Sequence, residues 1–248
     1  MILAVIPARY ASTRFPGKPL IDLGGKTMIQ RVYEQVIAAT CVNLAIVATD
    51  DIRIAETVQA FGGQVIMTRP DHPSGTDRCA EVALQYPEAN IVLNIQGDEP
   101  FIFPQQIDLL ANTLLQHPEA DIATLIKKIE LSETLFSPNT VKAVINTHGA
   151  ALYFSRHPIP FYRGKEPAEW LQHHNYYKHL GLYGFRRSVL LELATLPTSP
   201  LESCESLEQL RWLENGRSIQ TGITEQESMG IDTPADLDKA RLYLHNRQ

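Results

Sequence analysis

The 248-residue chain is 44% hydrophobic and 20% charged, the balance of a soluble globular protein with room for one large α/β domain. Its formal net charge of −6 speaks against general binding to nucleic acid or to an anionic membrane surface, so any anion site has to be a local basic cluster. Cys41, Cys79 and Cys204 lie far apart with no C-x-x-C, which points to reduced thiols rather than zinc or disulfides. The opening apolar run lacks a basic leader and no stretch is long enough to cross a bilayer, so a cytoplasmic protein is expected.

Strand patterns at 2–6, 44–48 and 91–95, with a weaker one at 64–67, alternate with helical patterns at 27–39, 51–61 and 76–85. Such alternation predicts parallel strands joined by right-handed crossovers. A helix opened by proline follows at 104–115. The middle then changes character. Strands are predicted at 121–129, 141–146 and 151–155, with a hairpin turn at 146–149. Pro158, Pro160 and Pro167 break up 156–175, which reads as an irregular arm. A strand at 178–185, helices at 187–196 and 201–215, and a last helix starting near Thr233 complete the chain. The expectation is a single domain over 1–248, with a strand-rich insertion at about 125–185.

The first strand empties into a loop carrying the cations Arg9, Arg14 and Lys18 together with a Pro16-Gly17 turn. Loops at strand ends of α/β folds are where ligands bind, and converging cations call for an anion such as a nucleoside triphosphate. Neither the Walker spacing nor G-x-G-x-x-G is present, which disfavours a P-loop kinase and a dinucleotide oxidoreductase. Ser74-Gly75-Thr76-Asp77-Arg78 offers backbone N–H groups and a hydroxyl at a helix start, although plain N-capping would explain the same residues. Arg78 would sit in the first turn, where the helix dipole disfavours a cation, so an external anion or carbonyl is expected for it.

Gln96-Gly97-Asp98-Glu99-Pro100 sets two acids at the end of the strongest strand, a metal or ligand position. Near the C-terminus, Thr233, Pro234 and Asp236 suffice to start a helix, leaving Asp232 free to act as a second metal carboxylate or to be an ordinary loop residue. Helical spacing over 201–215 puts Glu205, Glu208, Gln209 and Trp212 on one face, opposite Leu207 and Leu210. That face is either solvated or lines a polyhydroxylated ligand. His179 and Tyr183 share a strand face, as core residues or as part of the same site.

In chain order the motifs I-P-A-R-x-x-S-x-R-x-P-G-K-P-L, A-T-D, S-G-T-[DE]-R, N-x-Q-G-D-E-P, F-x-P-x-x-V-K, A-L-Y-F-S-R-x-x-I-P, H-x-G-x-Y-x-[FY]-R, L-E-x-x-E-x-L-E-Q-L-R and D-T-P-x-D-L resemble the 3-deoxy-manno-octulosonate (Kdo) cytidylyltransferases over nearly the whole chain. The resemblance implies an α/β nucleotide-diphospho-sugar transferase-like fold, three layers around a mixed, mostly parallel sheet. It implies conversion of CTP and Kdo to CMP-Kdo and diphosphate for lipopolysaccharide biosynthesis, with Mg²⁺. By the same resemblance Arg9 and Lys18 hold the triphosphate, and Pro7, Ala8, Ser74, Gly75, Arg78 and Gln96 frame cytosine and ribose. Asp98 and Asp232 bind Mg²⁺, while Arg156, His179, Tyr183, Glu208 and Gln209 surround the sugar. A homodimer is implied, with 151–161 contributing to the interface; 164–176 is the least characteristic segment. A related sugar acid, 8-amino-Kdo or sialic acid, and a non-catalytic nucleotide-sugar binding protein are the alternatives.

Overall fold

The computed structural model describes residues 1–11, 15–231 and 233–245. Two compact units emerge, one from residues 1–111 and 227–248, the other from 112–226; the strand-rich 125–185 lies inside the second.

In the first unit β1 (Ile2–Ala8) is followed by α1 (Met28–Ile37), β2 (Leu44–Thr49), α2 (Ile52–Ala60), β3 (Val65–Met67), α3 (Gly75–Leu84) and β4 (Ile91–Asn94). The strands run in the order β3-β2-β1-β4 and pair in parallel throughout. Leu3, Ala4, Val5 and Ile6 are completely buried, which is why β1 reads as an unbroken apolar run rather than an alternation. Each crossover helix starts on a side-chain cap: Thr27 for α1, Asp51 for α2 and Ser74 for α3. Helix α4 (Pro104–Gln116) leaves this unit. The chain returns to it in α10 (Pro234–His245), where Leu237 and Ala240 join Leu23, Met28 and Ile231 in a small core.

The second unit contains antiparallel pairings, unlike the parallel β3-β2-β1-β4 run. It comprises β5 (Ile122–Lys128), α5 (Ser132–Phe136), β6 (Lys142–Ile145), β7 (Ala151–Ser155), α6 (Trp170–His173), β8 (Tyr177–Arg186), α7 (Arg187–Leu193), α8 (Pro200–Glu205), α9 (Glu208–Glu214) and β9 (Ile219–Ile223). β5 lies between antiparallel β8 and parallel β9, and β6 joins β8 to β7. The expected hairpin is present: Asn146 Oδ1 accepts from the amides of His148 and Ala150, and Gly149 supplies the left-handed residue at φ 79°.

Three differences from the sequence reading have physical causes. The single helix expected over 201–215 is broken at Ser206, which sits in the left-handed region at φ 52°, so α8 and α9 are separate. The arm at 156–175 contains a 3-10 turn at Pro167–Glu169 and the short helix α6. Its Trp170 packs with Ile129, Leu135 and Tyr176 in a local core and donates its indole N–H to Lys165 O at 3.1 Å. Strand β9 lies where the sequence shows no strand pattern, because Gly222 inside Ile219-Gln220-Thr221-Gly222-Ile223 obscures the strand period. Among the described residues no helix is long and apolar enough to cross a membrane.

Candidate functional site

In the first unit the strand ends and the start of α3 converge on Pro7 and Ala8. A Cβ on Gly75 would lie 3.2 Å from Pro7 Cγ, and one on Gly97 only 2.8 Å from Pro7 O and 3.8 Å from Ala8 Cβ. Both glycines therefore serve close backbone approach, and they bring the loops after β1 and β4 together with the N-terminus of α3. Gly17, at φ 71°, donates its amide to Tyr10 O at 2.9 Å and closes the base of the first loop. Lys18 then enters a short 3-10 turn, and its ammonium reaches Asp98 Oδ2 at 2.7 Å. Arg14 and Asp232 lie outside the described residues. The neighbour of Asp232 is held in place, since the Ile231 amide donates to Asp98 O at 3.0 Å.

Arg9 is exposed, and its positive charge is felt at Arg78. Gln96 is half-buried directly after β4. Ser74 acts as a helix cap: its Oγ accepts from the Asp77 amide at 3.2 Å and donates to the Asp77 carboxylate at 2.6 Å. The expectation that Arg78 needs an external partner stands for one nitrogen: its buried Nη2 has no hydrogen-bond partner among the described residues. Its guanidinium is 1% exposed, reaches the Thr68 hydroxyl and lies 3.3 Å from Asp50 Oδ1. Burial pushes it down, and Asp50 opposes that shift. Asp50, from the A-T-D triplet, is a functional neighbour that the sequence reading left without a role.

The second unit assembles the other set. His179 Nε2 lies 2.8 Å from Thr124 Oγ1, and the ring packs on Phe154 and Tyr183. Burial brings its imidazole from the ordinary 6.5 down to about 3. Thr124 Oγ1 is also 2.8 Å from Leu182 O, which takes its single proton. The histidine is therefore the donor to Thr124, with its proton on Nε2 and Nδ1 left as an acceptor. Tyr183 stands edge-on to Trp212 at 4.8 Å, and burial, then the Glu208 charge, push its phenol well above the ordinary value.

Glu208 accepts from Arg211 Nη2 at 2.9 Å, and Arg211 in turn meets Glu202 at 3.3 Å. Gln209 is 3% exposed, and neither its Nε2 nor the buried indole N–H of Trp212 has a hydrogen-bond partner. The polar face expected to run from Glu205 to Trp212 is corrected. Glu205 belongs to α8 and binds Ser155 and Arg156, whereas Gln209, Leu210, Arg211 and Trp212 are all buried. Arg156 caps helix ends: Nε donates to Glu205 O at 2.7 Å, Nη1 to Pro138 O and Nη2 to Ser206 O, each at 3.3 Å. Lys142, completely buried, was missed as a supporting residue although it closes F-x-P-x-x-V-K. Its ammonium donates to Ser137 O at 2.9 Å, to Thr140 O at 2.6 Å and to Arg156 O.

Parallel strands with ligand loops at their carboxyl ends, a basic first loop and an acid after β4 define an α/β nucleotidyltransferase. A family model described as cytidylyltransferase matches residues 3–219. The 3-deoxy-manno-octulosonate cytidylyltransferase of Parabacteroides distasonis is 55% identical over 99% of this chain and 98% of its own length. The enzyme of the same name from Bacteroides thetaiotaomicron is 54% identical, with the same coverage. A solved structure described as CMP:2-keto-3-deoxy-manno-octonic acid synthetase complexed with CTP superposes with a TM-score of 0.93 at 46% identity, over 100% of this chain and 99% of that one. The chain belongs to the cytidylyltransferase family, among the 3-deoxy-manno-octulosonate cytidylyltransferases.

Proposed function

We propose that this protein joins the cytidylyl group of CTP to the anomeric hydroxyl of 3-deoxy-D-manno-octulosonate. The C2 oxygen bonds to the α-phosphorus, the bond to the β-phosphate oxygen breaks, and diphosphate leaves as the hydroxyl gives up its proton. Such a displacement needs alignment and charge neutralisation more than a covalent intermediate. The observation that carries the reading is the Lys18–Asp98 pair beside a Pro7 backbone packed against Gly75 and Gly97. It puts a cation and a carboxylate next to loop backbone suited to phosphates.

Arg9 and Lys18 are assigned to the triphosphate. Pro7, Ala8, Ser74, Gly75, Arg78 and Gln96 are assigned to cytosine and ribose, with the unpartnered Nη2 of Arg78 as a donor for the ligand. The unpartnered Gln209 amide, the acceptor Nδ1 of His179, and Tyr183, Glu208 and Arg156 are assigned to the sugar acid. A polyhydroxylated ligand would satisfy such groups.

Asp98 suits Mg²⁺: its side chain is 33% exposed at a strand end, and Mg²⁺ takes one or two carboxylates together with phosphate oxygens. Asp98 and Asp232 would hold the ion, which when bound supplies neutralisation of phosphate charge and a lower hydroxyl pKa. The same reading places the protein in the cytoplasm, in lipopolysaccharide biosynthesis, as a homodimer. Leu152 and Phe161, 58% and 74% exposed, are the apolar groups assigned to the interface.

Diphosphate release tests the reaction, measured with CTP, UTP, ATP and GTP against Kdo, 8-amino-Kdo and sialic acid. Turnover confined to CTP and Kdo is expected. Turnover with another sugar acid reassigns the substrate, and CTP binding without turnover on any of them makes the protein a binding module.

A further inference from the structure

The break between α8 and α9 is held by a clamp made entirely of residues in the second unit. Glu205, the last residue of α8, accepts from Ser155 Oγ at 2.5 Å and from the Arg156 amide at 2.9 Å. The carbonyls at the end of α8, which have no partner within the helix, receive the Arg156 guanidinium: Glu205 O at 2.7 Å and Ser206 O at 3.3 Å. Arg156 O is itself fixed by the buried Lys142 ammonium. Between them the chain makes its left-handed step at Ser206, a conformation that costs a non-glycine residue energy and persists only where its surroundings impose it. Two residues later α9 begins with Glu208 and Gln209, neither of which carries a side-chain N-cap contact from Leu207. The start of α9 is thus aimed by the clamp on the preceding turn rather than by a cap of its own.

We propose that Glu205 is a positioning residue for the sugar-acid half of the site. Its carboxylate ties the end of α8 to β7 through Ser155 and Arg156. In doing so it sets the angle at which α9 presents Glu208 and Gln209. The proposal rests on the assignment of those two side chains to the sugar acid. Glu205 touches no substrate in it; it acts through the turn.

Glu205→Gln keeps the shape but replaces one acceptor oxygen with an amide that faces the donors of Ser155 and Arg156. The sugar KM should rise about tenfold while the CTP KM stays within about twofold, the signature of a misplaced binding group on one substrate only. Amide hydrogen exchange over 207–212 should quicken in the same variant, whatever the sugar. In a Glu208→Ala background the effect of Glu205→Gln on sugar KM should shrink, because contacting elements couple non-additively. Ser155→Ala, which removes a single arm of the clamp, should move the sugar KM in the same direction and keeps the test alive where Glu205→Gln fails to fold. Unmoved exchange over 207–212, or equal rises in both KM values, overturns the clamp. Quickened exchange with an unmoved sugar KM overturns instead the assignment of α9 to the sugar, and the positioning role with it.

Discussion

Lys18 Nζ lies 2.7 Å from Asp98 Oδ2, bridging a loop after β1 and the end of β4 with side chains 13% and 33% exposed. The carboxylate assigned to the metal therefore has a counter-ion of its own in Lys18. A metal ion and the ammonium must compete for Asp98, and a triphosphate that attracts Lys18 would release it.

Lys18→Ala should lower kcat/KM for CTP by about 10²-fold, the cost of removing one charge aimed at the reacting phosphates. Mn²⁺ binding in the absence of nucleotide, followed by electron paramagnetic resonance, should tighten, because Asp98 loses its competitor. The melting temperature should stay close to wild type, since a partly exposed pair contributes little to stability. Arg9→Ala should impair CTP use without the gain in metal affinity. Weaker nucleotide-free Mn²⁺ binding in Lys18→Ala would sink the competition argument.

Asn substitutions at Asp232 and Asp236 test whether chemistry and capping fall to different residues. The Thr233 amide donates to Asp236 Oδ2 at 3.0 Å, and Thr233 Oγ1 accepts from the Asp236 amide at 3.3 Å, so α10 has its reciprocal cap without Asp232. Asp236→Asn should cost about 0.5–1 kcal/mol of stability and leave turnover nearly intact. Asp232→Asn should leave the melting curve unmoved and cut turnover by orders of magnitude. Thermal melts and steady-state rates on both variants decide the matter; the reverse pattern makes Asp232 structural.

Gly97 is required by sterics rather than by an unusual backbone angle. Its absent Cβ leaves room for Pro7 O, which a methyl group would meet at 2.8 Å. Gly97→Ala has to push the β1 loop outward. We expect a loss of about 1–3 kcal/mol in urea unfolding, the usual cost of overpacking, together with weaker CTP binding by calorimetry. A variant with wild-type stability and CTP affinity would show that Pro7 and Ala8 do not need this approach.

The first unit was legible in the sequence because its signals are local. Apolar runs such as Leu3–Ile6 mark buried parallel strands, and Thr27, Asp51 and Ser74 mark helix starts. The second unit was less so, because its decisive relations are long-range. Glu205 and Trp212 share a helical face on spacing alone, yet the left-handed Ser206 puts them on different helices, and nothing local in Glu205-Ser206-Leu207 marks that break. Arg78 meets Thr68 and Asp50 from other elements, which its own pentapeptide does not show, while its Nη2 keeps no hydrogen-bond partner among the described residues. β9 shows its strand character only through pairing with β5.

His179 supplies a pH test. Burial takes its imidazole from 6.5 to about 3, so the folded protein keeps it neutral through the physiological range, donating from Nε2 to Thr124. In the unfolded chain it titrates near its ordinary value. Above about pH 6.5 the histidine is neutral in both states and costs nothing. Between that pH and about 3 the unfolded chain binds a proton that the folded one refuses, so stability falls as the pH falls through this window. His179→Gln removes the titration. Urea unfolding at pH 7.5, 5.5 and 4.5 should show a shallower acid decline for the variant than for wild type, whatever their absolute stabilities. The kcat/KM for the sugar acid should correspondingly carry no limb from this histidine between pH 5 and 8. An acid limb near pH 6.5 that vanishes in His179→Gln would mean that the imidazole titrates in the working enzyme and that its neutral, Thr124-bound state is wrong.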